Sequence, residues 1–206
     1  MVRNVCKAFT LMQTPRWLQG WNPRSCAKIA AVGAASLALA HSLAGYSNQA
    51  MVICAIREAA VSHNLNPDDF VRMAKIESRL DPYAYHPVSR ASGLFQFVPA
   101  TARQYKLDNV FDARANANAA AALWLDNRRA LRRSLGRNPS PGEMYLAHQQ
   151  GATGATKLLS QPERPATEVV GYSAVTRNGG SEDMTARTFA SLWIDRFQQG
   201  SPTDRE

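Results

Sequence analysis

Cysteine is scarce in this chain: Cys6, Cys26 and Cys54 are all there are. The first two fall in an N-terminal stretch that reads as a leader, so its removal would leave Cys54 alone and exclude an intramolecular disulfide. Cys54 stands in the apolar pattern MVICAIREAA, where a lone cysteine packs as a small hydrophobe, and no paired base marks it as a nucleophile. Long apolar runs are missing as well. The stretch from Ile29 to about Ala40 is alanine-rich and shorter than the ~20 residues that a membrane-spanning helix needs. His63, His86 and His148 show no metal-ligand spacing with Asp or Glu, and no glycine-rich phosphate loop occurs, so no metal and no cofactor is expected. There are no internal repeats, no low-complexity tract and no convincing pair of alternating strands.

Charge is sparse and unevenly placed. Charged residues make up 19% of the chain against 45% hydrophobic, which argues against disorder and for one globular domain. Of the formal charge of +8, five units come from Arg3, Lys7, Arg16, Arg24 and Lys28, and residues 1–44 contain no acid. The remainder is only mildly basic, so nucleic acid is not an expected partner. The order in KIAAVGAASLALAHSLAG (28–45), a basic residue, a short apolar run and then small residues, is that of a signal peptide. Residues 1–44 are therefore read as a signal peptide or leader, with cleavage after Ala40 or Ala44, and residues 45–206 as the domain. Because the segment before Lys28 is long for such a leader, a start at Met12 is the other reading. Export by the general secretory route to the periplasm is expected, with inner-membrane anchoring if the leader is retained.

From residue 51 onward the pattern is helical. MVICAIREAAVSHN places Ile53, Ile56 and Ala60 on one face. NPDDFVRMAKIES follows with a complete start signal: Asn66 as N-cap, Pro67 in the first turn, and Asp68 and Asp69 at the positive end of the dipole. Asp81-Pro82 should end this helix. A short helix is expected from Pro99, a long one over 112–136, and two short ones in GEMYLAHQQG and ATGATKLLS, separated by Gly151. Residues 161–180 read as extended and turn-rich. TARTFASLWIDRF closes the pattern with Thr185 as N-cap and Phe189, Leu192, Trp193 and Phe197 as an apolar stripe.

Phe70, Met73, Ala74 and Glu77 recur at spacings of three and four, so one carboxylate shares a face with core residues. An acid placed against apolar side chains loses solvation of its charged form and is suited to act as a general acid near neutrality. The bland alternative is a partly buried Glu77 paired with Arg79 or Arg90, since acids are seldom buried alone.

Three segments in order change that balance: IESRLDP, then ASGLFQFVPATA, then YLAHQQGATGA. Together they resemble the lytic transglycosylase family with the soluble-lytic-transglycosylase domain, whose fold is related to goose-type lysozyme, over roughly residues 55–160. The resemblance implies a mainly α, lysozyme-like helical domain with a glycan-binding cleft. It also implies a peptidoglycan lytic transglycosylase that cuts the β-1,4 bond between N-acetylmuramic acid and N-acetylglucosamine and leaves a 1,6-anhydromuramoyl end. On this match Glu77 is the single catalytic acid/base and Ser78 the residue beside it. Gln96 lines the glycan groove, Phe95 stands where methionine is common, and Ser89 is a loop residue near the reacting bond. Gly93 has a local reason as well, because glycine lets the backbone turn and approach a ligand.

The sequence departs from the family in AHQQG (147–151), where many members have Ala-Tyr-Asn-Ala-Gly. His148 takes the tyrosine position and Gln149 the asparagine position. His148 is then either a replacement donor or a packing residue, and Tyr145 is a further approach to the groove. A single acid suffices if the muramoyl C6 hydroxyl is the nucleophile, because an intramolecular group has a high effective concentration. Asp81, Asp108, Asp112 and Glu143 sit at no spacing that marks a partner.

Two other functions fit the same residues: a hydrolytic muramidase, and a non-catalytic wall-binding component of a secretion apparatus. The expected partner is the peptidoglycan strand, met by a monomer, with a secretion-system or wall-assembly protein as a further one. NRRALRRSLGR (127–137) is either a solvated helix face or an attraction for anionic wall peptides or an acidic partner.

Overall fold

The computed structural model describes residues 37–200, with side chains from residue 48 onward. Most of the predicted leader thus lies outside the described residues. Helix α1 (Leu37–Ser62) runs without interruption across the 44/45 boundary. The other helices are α2 (Pro67–Ser78), α3 (Pro99–Gln104), α4 (Ala113–Leu135), α5 (Pro141–Ser160), α6 (Ala166–Val170), α7 (Tyr172–Arg177) and α8 (Ala186–Gln199). Among the described residues there is no strand, only isolated bridges at Tyr85 with Ser92, Ser92 with Phe97, and Pro165 with Thr185. No helix among them is long and apolar enough to cross a membrane.

The helix starts follow from their caps. Asn66 Oδ1 accepts from the amides of Asp68 and Asp69 at 2.9 and 3.4 Å, Asp112 accepts from Ala115, and Thr185 accepts from Thr188, each filling an orphan donor. Ser140 and Glu143 form a reciprocal capping box at the start of α5. Glu143 also receives both guanidinium nitrogens of Arg137, at 2.8 and 2.6 Å.

Helix α2 ends three residues before the expected Asp81-Pro82 stop. Arg79 and Leu80 both adopt the left-handed region, with φ of 56° and 65°, and the Arg79 amide donates to Lys75 O at 2.9 Å. Leu80 is buried, and its apolar contact accompanies the turn, as is common at left-handed helix ends.

Residues 161–180, expected to be extended, instead hold α6 and α7, whose Ala166, Val169 and Val175 are buried in the core. The two expected short helices around Gly151 are one element broken at that glycine, which has φ 69° and ψ 159°, a conformation open essentially to glycine alone. On α8, Phe189, Trp193 and Phe197 are buried as expected, but Leu192 is 38% exposed and falls off the stripe. Cys54, expected as a lone buried thiol, is only partly buried and is disulfide-bonded.

One core joins these helices. Phe70 packs on Phe95 and Trp124 at ring distances of 4.8 and 5.9 Å, while Tyr145 packs on Phe197 at 5.6 Å. Gly142 brings α5 against α8 so closely that a Cβ there would lie 2.9 Å from Ile194 Cγ2. Helix α8 is tied to α2 through Arg72, which donates to the carbonyls of Phe197 and Gln198 at 3.3 and 3.0 Å. A cation at that end of α8 also complements its dipole. Thus α2, α5 and α8 form one frame.

Candidate active site

Glu77 lies in the last turn of α2 with its side chain only 10% exposed. Helix α5 faces it with Tyr145, His148 and Gln149, which share one face by their spacing of three and four. Gln149 Nε2 donates to Glu77 Oε1 at 2.6 Å and also lies 3.2 Å from Tyr145 Oη. The Tyr145 hydroxyl is itself within hydrogen-bonding reach of the carboxylate. Burial first, and then the nearby Glu77 charge and that hydrogen bond, push its pKa far above the tyrosine range. It remains a protonated donor. His148 Nε2 is 3.8 Å from Glu77 Oε1, too far for a hydrogen bond, and its ring stacks beside Tyr145 at 6.3 Å. The alternative pairing of Glu77 with Arg79 or Arg90 does not occur. Among the described residues its ion-pair neighbour is His148.

Glu77 marks the junction of two depressions. The larger, about 1020 Å³, runs from Glu77 past Gln96, Asp126, Asn127 and His148 to Arg177 and Trp193. The smaller, about 750 Å³, continues past Ser78, Tyr85, Asp195 and Leu192. Glu77, His86, Gln96 and Arg196 line both.

The loop over 81–98 supplies one wall and is held from beneath by Asn116, which is fully buried on α4. Asn116 Oδ1 accepts from the Phe95 amide at 3.0 Å, and its Nδ2 donates to Val110 O at 2.8 Å. Gly93, at φ 77°, sits directly against this pair. A Cβ there would lie 2.1 Å from Val110 O and 2.4 Å from Asn116 Nδ2. The glycine makes the turn as expected, and its close approach here is to the protein's own interior.

Phe95, expected in the groove, is fully buried against Phe70. Gln96 has φ 48°, which takes it out of the buried run Leu94, Phe95 and Phe97, and its Nε2 donates to Gly93 O and Ala84 O at 2.9 and 3.3 Å. Its side chain is thereby locked at the groove. Ser89 is exposed on the larger depression, with Oγ 3.1 Å from His86 Nδ1. Ser78 turns inward, donating to Ala74 O at 3.0 Å, and touches only the smaller depression. The structure therefore brings Glu77, Gln96, Tyr145, His148, Gln149 and Ser89 to the groove, Ser78 to its margin, and leaves Gly93 and Phe95 beneath it.

Of the acids weighed from sequence, Glu143 is held by Arg137 and its own cap, Asp112 caps α4, and Asp81 Oδ1 accepts from the Tyr83 amide. Asp126 was missed. It lines the larger depression, where Arg129 and then Tyr105, at 2.8 Å, hold its carboxyl below the usual range. Arg196, Trp193 and Arg177 were missed as well. They come to the groove through packing of the last two helices, for which spacing along the chain gives no signal.

No curated protein matches the chain. A family model described as a transglycosylase SLT domain matches residues 54–167, which contains the 55–160 stretch of the sequence resemblance. That family carries a lysozyme-like, all-helical fold and a transglycosylase-type activity against peptidoglycan. With more than half of its length matched and its acid seated at the meeting of two depressions, the chain belongs to the family of transglycosylase SLT domains.

Proposed function

We propose that this protein is a peptidoglycan lytic transglycosylase in which Glu77 is the single acid/base. The observation that carries the reading is the seating of Glu77: little exposed, at the junction of two depressions, and faced by the donors of Tyr145 and Gln149 from one turn of α5.

In its acid form Glu77 gives its proton to the bridging oxygen, the C1–O bond breaks, and the N-acetylglucosamine side leaves as an alcohol. Positive charge then develops at the muramoyl C1. The carboxylate left on Glu77 is stabilised by the Gln149 amide and the Tyr145 hydroxyl, both of which donate more strongly to an anion than to a neutral acid. The same carboxylate takes the C6 hydroxyl proton as O6 bonds to C1, closing the 1,6-anhydro ring and restoring the acid. Gln96 and Ser89 would hold the strand along the loop wall. Hydrolysis would instead require a second carboxylate to activate water. Asp126 is the other acid on the larger depression, and its engagement by Arg129 and Tyr105 makes it a poor base.

Mass spectrometry of muropeptides released by the wild type and by Glu77→Gln tests the assignment. Anhydro ends from the wild type and none from a folded Glu77→Gln variant are expected. Reducing ends would replace the proposal with a hydrolase, and unchanged release by the variant would remove Glu77 from the chemistry.

The signal-like order of residues 28–45 supports export to the periplasm. Fractionation of cells expressing the full chain tests this, with recovery in the cytoplasm as the contrary outcome. A monomer is the expected form, and any partner in a secretion or wall-assembly apparatus would dock outside the groove.

A further inference from the structure

The family match ends at residue 167, yet the groove does not. Arg177, at the end of α7, and Trp193 and Arg196, on α8, line its larger part, and Arg196 also lines the smaller. This wall is firmly built. Arg72 ties the end of α8 to α2, Gly142 admits Ile194, and Tyr145 packs on Phe197.

Two cations are mounted on it. Arg177 and Arg196 are exposed, and neither enters an ion pair among the described residues. The guanidinium of Arg196 is near enough to Tyr145 to act on it electrostatically. A solvated cation on a convex face needs no explanation. Two on one wall of the larger part, whose acids, Glu77 and Asp126, are already engaged, give that wall a sign that a neutral sugar strand does not require, while the exposed Asp195 lies in the smaller part. Guanidinium forks suit carboxylates in particular. In peptidoglycan the carboxylates belong to the peptide stems, which leave every second sugar and project sideways from the strand.

We propose that Arg177 and Arg196 read the carboxylates of the peptide stem, so that the segment beyond the family match sets the preference of the groove for peptide-bearing strands. The inference rests on the transglycosylase reading for its substrate class. It concerns the recognition of an anion beside the cut, not the bond-breaking steps.

The test compares strands whose stem carboxylates are free with otherwise identical strands in which they are amidated. For the wild-type full chain the ratio of kcat/KM between the two is expected to be about tenfold or more, carried by KM and weakened by salt. Arg196→Gln should bring that ratio close to unity, Arg177→Gln should lower it less, and Arg196→Glu should invert it.

Binding of both strands to Glu77→Gln and to the Glu77→Gln/Arg196→Gln double variant gives a readout that needs no turnover. Loss of the preference in the double variant supports the proposal. A wild type that does not discriminate, or an Arg196→Gln variant that slows both strands equally and keeps the ratio, overturns it. Absence of cleavage by the wild type would sink the transglycosylase reading, and the binding preference would still decide the role of Arg196.

Discussion

Gln149 Nε2 donates to Glu77 Oε1 at 2.6 Å and lies 3.2 Å from Tyr145 Oη, so one amide nitrogen joins the acid of α2 to the buried tyrosine of α5. Two helices far apart in sequence are thereby held in register at the point of reaction. Gln149→Leu removes the donor while keeping most of the volume. The carboxyl then loses its orienting partner, and kcat should fall by about 10–100-fold with KM little changed. Steady-state kinetics on defined strands measure the split. A change confined to KM would mean that Gln149 binds sugar instead of positioning the acid.

Tyr145→Phe separates the hydroxyl from the ring, whose packing against Phe197 should persist. Activity should fall about tenfold or more, as for loss of one buried donor to a developing charge. A second readout follows from titration. Burial, and then the Glu77 charge, raise the folded-state tyrosine above its ordinary value of 10.0. The unfolded chain therefore loses that proton first as pH rises. Stability contributed by the neutral hydroxyl is present below pH 10 and declines above it. Denaturant unfolding of wild type should weaken on going above pH 10 more steeply than that of Tyr145→Phe.

Glu143 and Arg137 make an asymmetric pair, with side chains 10% and 55% exposed. The hydrogen bonds from Arg137 come first in holding the Glu143 carboxyl below its ordinary range. Its contribution to stability is present above the ordinary carboxyl value of 4.5 and is lost as pH falls through the lower folded value. Arg137→Ala strands a buried carboxylate and should cost about 1–3 kcal/mol at neutral pH. Glu143→Gln leaves a solvated arginine and a neutral cap, and should cost about 1 kcal/mol or less. Urea unfolding of both variants at pH 7 and in mild acid distinguishes them, and the difference between them should narrow in acid.

Gly93→Ala introduces a methyl group 2.1 Å from the Val110 carbonyl at a φ of 77°. Backbone and not a flexible side chain must move. A loss of at least about 2 kcal/mol is expected, together with displacement of the loop that carries Ser89 and Gln96. Thermal unfolding measures the first effect and strand affinity the second. Unchanged values in both would mean that this loop is not pinned by Asn116 and Val110.

The sequence patterns that proved legible were local. Asn66 and Thr185 start their helices because a cap satisfies amides two or three residues away, and the face shared by Phe70, Met73, Ala74 and Glu77 is fixed by helical geometry alone. Helices α6 and α7 were not legible. Five and six residues are too few for intrinsic propensity to act, and they form because Ala166, Val169 and Val175 find a core to enter. The LFQF segment misled for a related reason. Its loop is buried from below by α4, so Phe95 belongs to the core and only Gln96, by its positive φ, escapes. Tyr145, His148 and Gln149 could be found through the family motif. Asp126 and Arg196 could not, since their place on the groove depends on how whole helices pack.

Leu80, three positions beyond Glu77, touches no part of the groove described above, yet it is the apolar plug that fixes where α2 stops. An exposed side chain in its place would let the last turn fray, and Glu77 sits in that turn, so its aim at Gln149 and Tyr145 would loosen. Inactivating substitutions in a random library should therefore gather at this inert leucine as well as at the groove, and a survey that ranked positions by distance from the sugar would overlook it.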